Sequence, residues 1–196
     1  MLDLETVTEA RLIAKALAGS QPAYEQIVRR YQRPVINLIG RMIARPGLDP
    51  TLAEDLAQET FVKAFRSLAT YDATRRFSSW LFRIAHNTAL DALRRPRPAT
   101  VSIDAPQDDG RQSPQELPAP PSADPAEQQA LGRALEDALN RLRPEYRAAV
   151  SLRYDEGLSF DEIGHVLGVP QATARTHVHR ARKELARLLD AAGWRP

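Results

Sequence analysis

Between residues 172 and 187 the sequence sets out donor side chains at a spacing that suits a nucleic acid. Arg175, Arg180, Arg182, Lys183 and Arg187 stand there against a single acid, Glu184. Ala174, Val178, Ala181, Leu185 and Leu188 recur at steps of four, three, four and three, so in a helix they share one face, and that face is apolar enough to be core. At about 100° per residue the opposite face collects Thr173, Thr176, Arg180 and Lys183, flanked by Arg175, His177 and His179. Such groups reach phosphates and base edges in the major groove of duplex DNA. A basic helix face can also be merely solvated, so the neighbouring elements decide between the two.

Those elements are legible upstream. Ser159-Phe160-Asp161-Glu162 is a capping box, in which the serine oxygen takes a backbone donor of the first turn and the glutamate reaches back to the cap. Gly168, just past Leu167, supplies the left-handed residue that ends this helix, and Pro170 starts the next. Two helices joined so tightly cross steeply, as in a helix-turn-helix, and the second one carries the donors. Gly164 has no side chain where the crossing helices approach, which favours the same reading. His177 and His179 are not a metal pair, because residues two apart on a helix point about 200° from one another and no third ligand is near. His86 and His165 are expected at the surface or against a partner.

The rest of the chain must position this element. Of its 196 residues, fifteen are proline, and eight of those fall between Pro96 and Pro125, among Asp104, Asp108, Asp109, Gly110 and Ser113 and without apolar periodicity. Residues 96–126 therefore read as a flexible linker between two small all-helical domains, 1–95 and 127–196. In the first domain Leu12, Ile13, Ala16 and Leu17 mark a short helix, and Ile27, Val28, Tyr31, Val35, Leu38, Ile39 and Met42 a longer one. Pro34 should kink or restart that second helix, and Arg45-Pro46-Gly47 should end it. A third helix runs from about Leu52 to Leu68 with Ala57, Phe61, Ala64, Phe65 and Leu68 on its core face. A fourth, about Ser79 to Arg95, buries Leu81, Ile84, Ala85, Ala89, Ala92 and Leu93. After the linker come a helix through Leu131, Leu135, Ala138, Leu139 and Leu142 and one from Pro144 to Tyr154.

Composition narrows the function classes. With no cysteine there is no disulfide framework and no Cys-based metal site, and the N-terminus MLDLETVTEARL lacks a basic segment followed by a long apolar run, so a cytoplasmic location is expected. No window approaches the roughly 18 apolar residues of a membrane span. The net charge of +2 is uninformative alone, since the basic charge is local to the 172–187 segment.

A second array lies in the first domain. The join Thr70-Tyr71-Asp72-Ala73-Thr74-Arg75-Arg76-Phe77 is polar, basic and aromatic, and it leads into Trp80, Phe82, Arg83 and Asn87. Basic groups to follow a backbone and aromatics to hold unstacked bases are what single-strand capture needs, although Trp80 and Phe77 also suit a core. The runs Asp55-Leu56-Ala57-Gln58-Glu59-Thr60-Phe61-Val62-Lys63-Ala64-Phe65 and Phe77-Ser78-Ser79-Trp80-Leu81-Phe82-Arg83-Ile84-Ala85-His86-Asn87 resemble the extracytoplasmic-function branch of bacterial sigma factors. The likeness continues through Ala138 to Pro144, Leu158 to Gly164, Leu167 to Pro170 and His179 to Leu185, in the family's order.

That resemblance implies a transcription-initiation subunit that docks on core RNA polymerase and reads promoter DNA in two places. It implies that Asp55, Gln58, Glu59 and Lys63 bind the clamp helices of the largest polymerase subunit. It places recognition and opening of the −10 element on Arg75, Arg76, Phe82, Arg83 and Asn87, with Asn87 best suited to a base edge. It puts −35 contacts on Arg175, Thr176, His179 and Arg180, in agreement with the helical-wheel face. Members of this branch are commonly held inactive by an anti-sigma factor, and the long linker would also let the two domains pack together. Ala172 stands where the family usually has glycine, and His177 where arginine or lysine is common, which leaves promoter preference open.

Two other functions compete. A stand-alone helix-turn-helix regulator would use the first half for dimerisation or sensing, yet it has no need of the array from Arg75 to Asn87. A metal-dependent nuclease would use Glu54, Asp55 and Glu59, but no nucleophile, phosphate loop or further convergent carboxylate accompanies them. Neither enzymatic activity nor a cofactor is expected.

Overall fold

A computed structural model describes residues 4–44, 51–94 and 125–194, and among these it is all-α. The helices are α1 (Leu4–Leu17), α2 (Gln21–Ile43), α3 (Leu52–Ser67), α4 (Phe77–Arg94), α5 (Pro125–Arg141), α6 (Pro144–Tyr154), α7 (Phe160–Leu167) and α8 (Gln171–Ala191), with a short 3-10 turn at Leu68–Thr70. The Arg45-Pro46-Gly47 terminator and most of the 96–126 linker lie outside the described residues, and α5 takes the last two residues expected in the linker. No helix among the described residues is long and apolar enough to cross a membrane.

The centre of the first half is α2, which packs on α1, α3 and α4. Its buried side chains, Ala23, Ile27, Tyr31, Val35, Leu38, Ile39, Met42 and Ile43, follow the helical repeat read from the sequence. Pro34 does not restart the helix, which continues through it unbroken. An internal proline costs about 3 kcal/mol, and Val35, Leu38 and Ile39, each at most 1% exposed, offset that by about 1.5–3 kcal/mol apiece.

Two further placements differ from expectation. Phe65 is 56% exposed rather than core, because α3 turns its Leu56, Ala57, Phe61 and Ala64 edge to α2 and α4. His86 is 5% exposed, where α4 buries it beside Ala85 and Ala89, and burial holds its imidazole below the usual pKa.

In the second half the capping box forms as read: Glu162 N donates to Ser159 Oγ at 3.2 Å and Ser159 N donates to Glu162 Oε2 at 2.7 Å. Gly168 ends α7 at φ 68°, Pro170 caps α8, and α8 packs on α5, α6 and α7. Gly164 is where the crossing is closest, since a β-carbon there would lie 2.7 Å from the Val169 carbonyl oxygen and 3.3 Å from the Gln171 nitrogen. Both neighbours are backbone, so they cannot swing aside. Gly164→Ala should therefore destabilise the chain by about 1–3 kcal/mol and lower its melting temperature by several degrees in calorimetry; an unchanged melting temperature would mean that the turn can shift.

Candidate nucleic-acid interface

On α8, Ala174, Val178, Ala181 and Leu188 are buried, as their spacing predicts. Arg175, Thr176, His179, Arg180 and Lys183 are exposed together on the outer face, and Thr173 is half-buried at its edge. Thr176 Oγ1 donates to the Ala172 carbonyl at 2.9 Å. With that hydrogen committed to its own helix, Thr176 offers DNA an accepting oxygen and a methyl group. His177 requires a correction. It is half-buried, its ring lies 5.5 Å from that of Tyr146 and its Nδ1 is shielded, so it packs against α6 instead of joining the outer face.

The second array is gathered around one recess of about 400 Å³ lined by Tyr71, Arg75, Trp80, Arg83, Asn87 and His165 among others. Asn87, Arg75 and Arg83 are exposed. The loop that presents Arg75 is tied down: Tyr71 OH donates to the Arg75 carbonyl at 2.7 Å, and Asp72 Oδ1 accepts from Thr74 N at 2.9 Å and Thr74 Oγ1 at 2.7 Å. Those two bonds hold the Asp72 carboxyl below its usual pKa. Phe82 is corrected: it is fully buried, edge-on to Tyr31, and cannot face a base from there. The aromatics that do reach the recess are Tyr71 and Trp80, 5.7 Å apart and both packed on buried Phe77. Tyr71 went unassigned in the sequence because a tyrosine in a polar loop carries no periodic signal.

On α3, Asp55 and Gln58 are exposed, while Glu59 and Lys63 are half-buried and paired at 2.9 Å. Lys63 also donates to Thr88 Oγ1 at 3.2 Å. Val62, 50% exposed, and Phe65 share this outer side, giving a stripe part acidic and part apolar. The steps from 55 to 58, 62 and 65 contain that stripe, but Phe65 also fits the core repeat, and only packing separates the two readings.

These surfaces are not independent in space. Ala148, Ala149, Leu152, Leu158, Ile163 and Val166 of the second half are buried in one continuous cluster with α2 and α4. Polar contacts frame this seam: Arg147 Nη1 donates to the Ala44 carbonyl at the end of α2 at 3.0 Å, Arg41 pairs with Asp155 at 3.1 Å, and Arg76 pairs with Glu162 at 3.6 Å. Arg83 Nη1 lies 3.4 Å from His165 Nδ1. A second recess, of about 410 Å³, joins Arg75 and Arg83 to His165 and the turn residues Gly168 to Gln171. The Asn87 recess thus lies against α7, while the outer face of α8 stays open.

The sigma-70 region 2 family model matches residues 27–98 and the sigma-70 region 4 model matches residues 132–185. RNA polymerase sigma factor CarQ of Myxococcus xanthus is 39% identical over 172 residues, covering 87% of this chain and 91% of CarQ. The extracytoplasmic-function (ECF) RNA polymerase sigma factor SigW of Bacillus subtilis is 30% identical, covering 90% and 94%. The chain is an ECF RNA polymerase sigma factor. Among solved structures, CnrH in complex with the cytosolic domain of CnrY aligns with a TM-score of 0.65 and 28% identity, covering 93% of this chain and 97% of CnrH. As a sigma factor, the protein is the polymerase subunit that directs promoter-specific transcription initiation. The two family matches coincide with the halves that carry the recess and α8.

The seam of the sigma factor contains a titratable group. Burial, with the charge of Asp155 adding to it and Arg41 and Arg76 opposing it, raises Glu156 from 4.5 to about 7. An ionised Glu156 therefore opposes the folded state, so its contribution is fully present below its ordinary pKa and is lost as pH rises to about 7. His165 shifts the other way, lowered by desolvation and then by Arg83 and Arg75, so protonating it opposes closure under acid conditions. The melting temperature of the wild type relative to Glu156→Gln should fall between about pH 4.5 and 7 and level off above; a difference between the two that does not change with pH would exclude Glu156 as its source.

Proposed function

We propose that this sigma factor is a divided reader whose two DNA-binding surfaces work in different states of the DNA. The outer face of α8, with Thr173, Arg175, Thr176, His179, Arg180 and Lys183, grips the −35 element as duplex. The recess, with Arg75, Arg83 and Asn87 and the aromatics Tyr71 and Trp80, captures a −10 strand base once it has left the stack; Arg76 joins them when its pair with Glu162 opens. Residues 1–95 form the core-binding and −10 domain, 96–126 the linker and 127–196 the −35 domain. The α3 stripe of Asp55, Gln58, Glu59, Val62, Lys63 and Phe65 is the dock for the clamp helices of the largest polymerase subunit.

The observation that carries this reading is the contrast in access: α8 presents its donors freely, whereas the Asn87 recess lies against α7 with Arg83 on His165. Opening the seam is then part of activation. An anti-sigma factor that binds both halves would hold the seam shut, and the complex of CnrH with the cytosolic domain of CnrY supports control by a protein partner. The factor acts in the cytoplasm, where core polymerase and the chromosome are.

Reconstitution with core polymerase tests the division of labour. Arg180→Ala should weaken promoter binding by about 1–3 kcal/mol, read from filter binding or anisotropy. Asn87→Ala should leave that binding intact and reduce strand opening, read from permanganate reactivity of unpaired thymines. Equal loss of binding and opening in both variants would contradict the division. Phe65→Ala with Asp55→Ala should weaken association with core polymerase by tenfold or more, as expected for loss of an aromatic anchor, with only a small fall in melting temperature from loss of the edge-to-face contact between Phe65 and Tyr24.

A further inference from the structure

Phe160, the first residue of α7, is half-buried and serves neither the recess nor the outer face of α8. Its ring has two cations on it. The Arg153 guanidinium carbon lies 4.8 Å from the ring centroid and that of Arg175 lies 5.2 Å away. Arg153 belongs to α6 and is anchored by its Nη1, which donates to the Leu158 carbonyl at 2.8 Å. Arg175 belongs to α8, is exposed, and among the described residues forms no salt bridge. The ring itself is held in place by the capping box, since Ser159 and Glu162 fix where α7 begins.

The geometry points to Phe160 as a positioning residue for promoter reading: its ring orients the Arg175 guanidinium toward the DNA, with Arg153 held on the same ring. A free arginine at this place would lose side-chain freedom on binding, and a guanidinium already lying on an aromatic ring loses less. Arg153, at the end of α6, puts a second positive charge on the same ring, which adds to the positive potential a DNA phosphate would meet there. The inference rests on the reading of α8 as the −35 helix.

The test uses full-length protein reconstituted with core polymerase and a promoter fragment selected by that holoenzyme from a random library. Dissociation constants for the fragment are measured over a range of salt for wild type, Phe160→Leu, Phe160→Trp, Arg175→Ala and the Phe160→Leu/Arg175→Ala double variant. Phe160→Leu should weaken binding by about 2- to 5-fold, the effect of one exposed cation–π contact. Phe160→Trp should bind as wild type, because the indole face can hold the same cation. In the Arg175→Ala background Phe160→Leu should cost nothing more. Wild-type binding by Phe160→Leu would overturn the positioning role, and so would an equal loss with and without Arg175, which is what a purely structural ring would give. If Arg175→Ala itself binds as wild type, the assignment of Arg175 to the −35 contacts falls, and the role of the ring falls with it; if Arg175→Ala weakens binding and Phe160→Leu does not, only the ring's role falls.

Discussion

The burial of α6 and α7 against α2 and α4 is the contact on which the arrangement of every candidate surface depends. Leu152, Leu158 and Ile163 are fully buried in the cluster that contains Leu38, Leu81 and Phe82. Side chains of that size are worth about 1.5–3 kcal/mol each when removed from water, whereas exposed ion pairs such as Arg41 with Asp155 and Arg76 with Glu162 contribute at most about 1 kcal/mol apiece. The apolar seam therefore supplies most of the adhesion, and the ion pairs set its register. Arg147 does both, being 3% exposed and donating to the Ala44 carbonyl, where a cation also meets the negative end of α2.

Because the seam runs through α7, the helix-turn-helix has two jobs that pull on the same residues. Glu162 closes the capping box with one carboxylate oxygen and meets Arg76 with the other. His165 lines the recess opposite Asn87 and touches Arg83. The element that packs against α8 is thus the same one that borders the Asn87 recess. The seam itself is apolar at its centre and charged at its rim.

Much of this was legible from spacing. The buried edge of α8, the capping box, the left-handed Gly168 and the crowded Gly164 are all local or depend on a single helical period, and the structure keeps each of them. The exposure of Arg83, Asn87, Arg175 and Arg180 followed from the same rule. The rule failed where a side chain could belong to either face. Phe65 and Phe82 are both apolar and both sit near the boundary of a helical stripe, yet the first is solvent-facing and the second sealed, because α3 meets its neighbours along its Ala57 and Ala64 edge while α4 is wrapped on several sides. His177 and His86 went the same way: a histidine has enough apolar body to pack, and which way it packs depends on what lies beside it.

By itself, then, the sequence determined the helices, the helix-turn-helix, the basic outer face of α8 and membership of the sigma factors, since all of these rest on residue type and on periods shorter than a helix. Only the tertiary structure decided that the two halves share one core, that Tyr71 and Trp80 replace Phe82 at the recess, and that Phe160 carries the cations of two other helices. Those facts depend on contacts between different elements, which no local period encodes and which are set by how the helix faces fill space against one another.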